Sequence, residues 1–239
     1  MEWLREIFSD GVPGDAARVF ELSDIALEAI AAGDSDLAPN LLLGTALRCW
    51  WADAGPAART QVAEVTGLLE PDVSRDPRYV AALGVAEPVL EGGHVLEMLS
   101  RVVIESVTDA DALRLPGMAA HAVGDPVRAA DFLARSEARL REQGQLGLLP
   151  HVRGMQGPVY LELGDWAQVG EAAEEYRRFA QETGQPIWND AQLVNEARAA
   201  ALLAIASERC TWHPRASTHL SCEISTTSAA ACSRRGDTR

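Results

Sequence analysis

The sequence contains no lysine, and all 21 of its basic residues are arginine. A Walker P-loop, the phosphate-binding lysine of a kinase and the Schiff-base lysine of a pyridoxal phosphate enzyme each depend on the lysine amine. The composition therefore excludes these three kinds of site within the 239 residues. We expect no cofactor, no metal and no catalytic residue.

Positive charge is also scarce. The chain has 35 acidic residues against 21 basic ones and a formal net charge of −14. A field of this sign repels phosphate backbones and anionic lipid surfaces. We therefore expect no direct nucleic-acid partner and no membrane partner.

Cysteines and long apolar runs are few. Cys49 is alone in the first 209 residues, so there is no disulfide framework. The most apolar windows, 37–47 and 199–206, are too short to cross a bilayer, and residues 1–5 lack the charge pattern of a leader. These features predict a cytoplasmic protein.

What the sequence does have is helical periodicity. Apolar residues recur at i, i+3 and i+4 through Val19, Leu22, Ile25, Ala26 and Ile30, and this helix is predicted to end at Gly33. Similar patterns, separated by glycine and proline, predict helices over 36–53, 57–70, 77–84, 90–104, 111–123, 126–143, 146–163, 166–183 and 187–207. The fold class predicted is all-α.

The composition changes near residue 210. Residues 1–209 are predicted to form one helical-repeat domain, whereas 210–239 are rich in Ser, Thr and Cys and are predicted to be a disordered tail. A GC-rich back-translation of this tail, read in a shifted frame, encodes an amphipathic helix without a stop codon. We therefore expect the tail to derive from a frameshift.

An internal repeat runs through the C-terminal half of the helical domain. Gly-Asp and Gly-Gln turns each recur at an offset of about 40 residues, which describes a unit of helix, Gly-Asp turn, helix and Gly-Gln turn. The glycines permit the left-handed geometry that ends a helix, and the aspartates can cap the next one. The structural repeat residues predicted in this way are Gly124, Asp125, Gly144, Gly164, Asp165, Trp166 and Gly184.

The second unit matches the tetratricopeptide (TPR) pattern of aromatic, glycine, aromatic, small and bulky residues at Tyr160, Gly164, Trp166, Ala173 and Tyr176. The period exceeds the usual length of about 34 residues, and Val169 stands where a small residue is usual. The fold predicted is a helical-hairpin, TPR-like solenoid with extended repeats. An irregular helical bundle is the alternative.

Three stretches carry a family resemblance: 76–89, 115–128 (LPGMAAHAVGDPVR) and 164–186. Together they resemble the TPR-like region of the large ATP-binding LuxR-type (MalT-like) transcriptional regulators of actinobacteria. The resemblance covers roughly residues 14–208. It implies a fragment of such a regulator that lacks the ATPase and helix-turn-helix modules, so the family's ATP-binding and DNA-binding residues map to nothing here.

Other constellations have simpler interpretations. A Cys-x2-His-x5-His-x2-Cys pattern could bind zinc, but chance in a frameshifted tail explains it better; its residues are Cys210, His213, His219 and Cys222. Exposed helix faces explain the His94 and Glu97 pair and the acidic group Glu171, Glu174 and Glu175, which has Arg178 nearby. Trp50 and Trp51 are predicted to lie in the core rather than to form a ligand platform.

Two functional classes remain. The first is a non-catalytic protein-interaction or sensor module that binds a protein or a small inducer on the solenoid surface. The second is an α-helical enzyme or small-ligand-binding protein with a pocket between helices. If the helix after 187–207 was lost, the apolar residues of that helix also predict self-association.

Overall fold

The computed structural model describes residues 16–69, 76–104, 107–182 and 189–212. Within these ranges all regular secondary structure is helical, which confirms the all-α class. The helices are α1 (Ala16–Ala31), α2 (Leu37–Ala52), α3 (Pro56–Thr66), α4 (Pro77–Ala86), α5 (Gly92–Ser100), α6 (Ala110–Ala122), α7 (Pro126–Glu142), α8 (Leu149–Leu163), α9 (Trp166–Glu182) and α10 (Asn189–Trp212).

Several helices begin at a residue that suits a helix start. Proline occupies the first turn of α3, α4 and α7, where its missing N–H costs nothing. Aspartates precede α4, α6 and α7, and the side chains of Asp76, Asp109 and Asp125 each accept a backbone hydrogen bond from the first turn that follows.

Four helix ends differ from the predictions by three residues or more. The helices predicted over 57–70 and 90–104 end at Thr66 and Ser100, and the one predicted over 146–163 begins with a single 3₁₀ turn before α8. The last helix continues through Trp212, three residues into the predicted tail. Proline disfavours the helical conformation in the residue before it. Because no proline lies between Pro186 and Pro214, none interrupts α10. The rest of the predicted tail, 213–239, lies outside the described residues.

Neighbouring helices pack in pairs, with α1 against α2, α6 against α7 and α8 against α9. Helix α4 packs on both α2 and α6 and thereby joins the N-terminal and C-terminal pairs. All residues of α4 from Tyr79 to Ala86 are buried, which is the pattern of a helix that is apolar on every side.

The chain divides into two units, one through Asn195 and one from Glu196 onward. The first unit contains helices α1–α9 and the two apolar clusters that form its core. The described part of the second unit continues α10 to Trp212. Nowhere in the described ranges is a helix both long enough and apolar enough to cross a membrane.

Candidate functional site

The Gly-Asp turns have the same geometry in both places. Gly124 and Gly164 adopt φ values of 82° and 73°. The carboxylate of Asp125 accepts a hydrogen bond from the N–H of Arg128 at 3.0 Å, and that of Asp165 accepts one from the N–H of Gln168 at 3.2 Å. Each turn therefore closes one helix and caps the next.

The three other predicted repeat residues lie outside the two Gly-Asp turns. Gly144 also adopts a positive φ, 68°, in the turn after α7. Trp166 is the first residue of α9 and is 36% exposed. Gly184 lies outside the described residues.

The candidate site is a cleft of about 90 Å³ within the first unit, formed by α2, α4, α6, α8 and α9. Most of its lining is apolar or aromatic, with two imidazoles and one phenol. The described lining residues are Leu47, Trp50, Trp51, Val85, Met118, His121, Ala122, His151, Gly154, Met155, Pro158 and Tyr176.

The lining has a buried floor and an exposed rim. Tyr176 is fully buried and His151 is 9% exposed, whereas Trp50 is 40% and Trp51 47% exposed. The prediction that both tryptophans belong to the core is wrong. They lie in the last turn of α2, beyond its buried segment that ends at Cys49, so the indoles lie at the mouth of the cleft.

His151 is held by a charged neighbour behind the cleft. Arg114 Nη1 lies 3.0 Å from His151 Nδ1, and Arg114 Nε donates to Asp111 Oδ1 at 2.7 Å. Because arginine can only donate, Nδ1 must accept and the ring proton is on Nε2. Burial, with a contribution from the Arg114 charge, holds the pKa of His151 well below its ordinary value. The imidazole is therefore neutral near pH 7.

His121 is the second imidazole of the lining. Its Nδ1 lies 3.8 Å from Glu162 Oε2, which brings the last turn of α6 close to the end of α8. The Glu162 side chain is 38% exposed and does not line the cleft.

The lining contains few of the side chains that act as nucleophiles or acids in enzymes. Among its described residues there is no serine, threonine, cysteine, aspartate or glutamate, and the one side-chain hydroxyl is the phenol of Tyr176. The described ranges also contain no group of three or more potential metal ligands.

A second polar cluster is structural. Arg153 of α8 donates through Nε to Glu175 of α9 at 2.7 Å and lies 3.2 Å from Glu137 of α7. Arg141 pairs with the same two glutamates, and the fully buried Gln156 bridges Arg153 and Glu137. This network joins three consecutive helices.

The network shows that one of the three acidic residues predicted to lie on an exposed helix face does not. Glu171 and Glu174 are exposed, as an outer helix face requires, but Glu175 is only partly exposed because it faces Arg153. Sequence reasoning missed this pairing, since the two residues are 22 positions apart.

The remaining predicted candidates are not part of the cleft. His94 and Glu97 are exposed on α5, which confirms their assignment to an outer helix face, and Glu97 pairs with Arg101. Burial raises the pKa of the Cys49 thiol to about 11, so this cysteine is not a nucleophile near pH 7. Of the four residues in the zinc pattern, Cys210 lies in α10, and His213, His219 and Cys222 lie outside the described residues.

The cleft itself could not be found from sequence. Its residues come from five helices, and His151 lies 37 positions from Arg114. The adjacent tryptophans were the one visible signal, and they were assigned to the core. Comparison with models of known protein families finds no match for this chain, and comparison with curated proteins finds none either.

Proposed function

We propose that this protein is a non-catalytic helical-repeat sensor module whose ligand site is the cleft between α2, α4, α6, α8 and α9. The observation that carries the proposal is an apolar cleft with two exposed indoles at its mouth and no serine, threonine, cysteine or carboxylate among its described lining residues. A concave apolar site with a few polar groups is typical of small-molecule binding. It favours a small inducer over a protein partner.

The repeat geometry supports an extended TPR-like architecture. The α6–α7 and α8–α9 pairs are each joined by a Gly-Asp turn with the same cap, at positions about 40 residues apart. The described helices of the first unit pack mainly on the next helix in the chain or on the one after it, as stacked hairpins do.

The proposal places the chain within a larger regulator. The resemblance to LuxR-type regulators implies that the ATPase and DNA-binding modules would be encoded separately from these residues. The absence of lysine supports this view, because the chain itself cannot form a P-loop. We expect calorimetry to show no saturable binding of ATP at micromolar concentrations, and such binding would contradict this assignment.

A screen of chemically diverse small molecules by thermal shift tests the sensor function. Ala122 lines the cleft at the last residue of α6, so Ala122→Leu places extra carbon atoms in it. Ala31 is the matched control, because it is the exposed last residue of α1 and also stands two positions before a positive-φ glycine.

We expect at least one compound to raise the melting temperature of the wild type and Ala31→Leu but not of Ala122→Leu. Mass spectrometry should recover that compound unchanged. Stabilisation that persists in Ala122→Leu would show that the cleft is not the site, and a new product mass would indicate an enzyme instead.

A further inference from the structure

We infer that the ligand of this cleft is a small, uncharged molecule built on a single aromatic ring. This inference rests on the proposed function and specifies its ligand class. It follows from the charge, the size and the aromatic character of the lining.

The described lining contains no permanently charged side chain. It contains no carboxylate and no arginine, and its buried imidazole, His151, is neutral because Arg114 already donates to it. The charged groups nearest to the two imidazoles, Arg114 and Glu162, do not line the cleft, and Arg114 already donates to Asp111 as well. Burying a charge without a partner is costly, so cationic and anionic ligands are both disfavoured.

The size of the cleft limits the ligand to one ring. Its volume of about 90 Å³ is below the ~150 Å³ of a cavity that holds one benzene ring, so no more than one ring can enter, and that ring extends into the open mouth of the cleft. A sugar of similar size would bring several hydroxyl groups, whereas the side-chain polar groups of the lining are confined to two imidazoles, one phenol and the two indole N–H groups at the rim. Unmatched hydroxyls in an apolar site lose hydrogen bonds to water, so a polar ring is disfavoured.

The contacts available favour an aromatic ring over a saturated one. Trp50 and Trp51 lie at the mouth of the cleft and Tyr176 at its floor, while Met118 and Met155 provide sulfur atoms within the lining. Aromatic pairs and sulfur–aromatic contacts each stabilise beyond simple burial. A single polar substituent on the ring leaves fewer hydrogen bonds to replace than the several hydroxyl groups of a sugar.

Four probes of similar shape separate these properties: benzyl alcohol, benzoate, benzylamine and cyclohexylmethanol. Titration calorimetry at neutral pH should show that benzyl alcohol binds at least about tenfold more tightly than benzoate or benzylamine, because an unpaired charge is costly to bury. It should bind about two- to tenfold more tightly than cyclohexylmethanol, which lacks the aromatic contacts.

Two variants, each with a matched control, test whether the probes bind in the cleft. Trp51→Ala should weaken benzyl alcohol binding, whereas Trp166→Ala, which removes an indole of similar exposure outside the cleft, should not. Ala122→Leu should abolish binding, and Ala31→Leu should leave it unchanged. Circular dichroism melting verifies that each variant is folded.

The outcomes distinguish the ligand class from the proposed function. If a charged probe binds as tightly as benzyl alcohol and Ala122→Leu abolishes its binding, the ligand class is wrong and the sensor site stands. The ligand class is also wrong, and the sensor site again stands, if none of the four probes binds but the thermal-shift screen yields a compound sensitive to Ala122→Leu. If no compound from either experiment is sensitive to Ala122→Leu, both proposals are wrong.

Discussion

Helices α6 and α7 pack closely against each other at Gly117. A Cβ atom there would lie 2.9 Å from Cγ of Leu133, which is fully buried, and 3.2 Å from Cβ of Phe132. Real Cβ contacts are longer than this, so α7 or its side chains would have to shift. The close packing of this helix pair therefore depends on the missing side chain.

Gly117→Ala should destabilise the protein. The gain in helix propensity is about 1 kcal/mol, and the overpacking costs about 1–3 kcal/mol, so we expect a net loss of about 1 kcal/mol. Gly170→Ala on α9 is the matched control, because nothing lies within 4 Å of its added Cβ. It should stabilise by about 0.5–1 kcal/mol. Urea denaturation measures both, and equal effects would contradict the packing argument.

His151 should make stability depend on pH. Its pKa is held well below the ordinary value of 6.5 in the folded protein by burial and by Arg114. As the pH falls below 6.5, the unfolded chain takes up a proton that the folded chain does not, so stability is lost toward acid pH. The slope from this one group is at most about 1.4 kcal/mol per pH unit.

His151→Asn tests this argument, because the amide oxygen can still accept from Arg114. The difference in unfolding free energy between wild type and variant should shrink by up to about 1.4 kcal/mol per unit as the pH falls from about 6.5 to about 5. His94→Asn, which replaces an exposed imidazole, serves as the control. A constant difference across this range for His151→Asn would show that the imidazole is not held neutral.

At the scale of elements, α7, α8 and α9 are joined by polar as well as apolar contacts. Arg153 has an 11% exposed side chain and pairs with Glu137 and Glu175, whose side chains are 14% and 27% exposed. Burial opposes ionisation of Glu175, but the hydrogen bond from Arg153 and the charges of three arginines outweigh it and lower the pKa of this carboxyl. This ion-pair network therefore links consecutive helical hairpins.

Arg153→Met should destabilise the protein by about 2–4 kcal/mol, because it removes the more buried of the two arginines that pair with both Glu137 and Glu175. Arg101→Met is the comparison, since Arg101 pairs with Glu97 on α5 and both side chains are more than half exposed. This second change should cost less than about 0.5 kcal/mol. Chemical denaturation measures the unfolding free energy of both variants. Similar losses of stability would mean that burial does not strengthen the ion-pair network.

At the scale of the whole molecule, apolar surface and net charge oppose each other. Leu193 and Val194 in the first turns of α10 are each 58% exposed, which agrees with the expectation of uncovered apolar residues on this helix. Trp188, another apolar residue of the helix predicted over 187–207, lies outside the described residues. The net charge of −14 repels a second copy, so salt should strengthen any association by screening it.

We expect concentration-dependent self-association that Leu193→Glu weakens by at least about tenfold, because a large apolar side chain left in water forgoes about 1.5–3 kcal/mol. Leu68→Glu is the matched control, since Leu68 is 60% exposed in the turn after α3. Sedimentation over a range of concentrations gives the readout. A wild-type chain that stays monomeric at high concentration would refute the prediction.

The order and most of the bounds of the helices could be predicted because their causes are local. The helix predicted over 126–143 spans Pro126–Glu142, and the one predicted over 166–183 spans Trp166–Glu182. Proline at a helix start, aspartate at a cap and glycine at a left-handed turn each act within a few residues. The predicted helix over 90–104 was too long, because apolar periodicity alone does not mark where a helix ends.

The cleft and the ion-pair network could not be predicted, because their residues are brought together only by the packing of helices. Trp50 and Trp51 are large aromatic residues of the kind found in protein cores. Whether they are buried depends on where α4, α6 and α8 lie beside α2. The sequence likewise shows Glu175 as one of several acids on a helix. Its partner Arg153 is positioned by the pairing of α8 with α9.

The sequence by itself determined the all-α class, the positions of the turns and the absence of lysine-dependent chemistry, since these depend on residue identity and on interactions between near neighbours. Only the tertiary structure decided the exposure of the two tryptophans, the neutral state of His151 and the pairing of Glu175. Each of these depends on the dielectric surroundings and on partners supplied by other helices, and such terms are set by long-range packing.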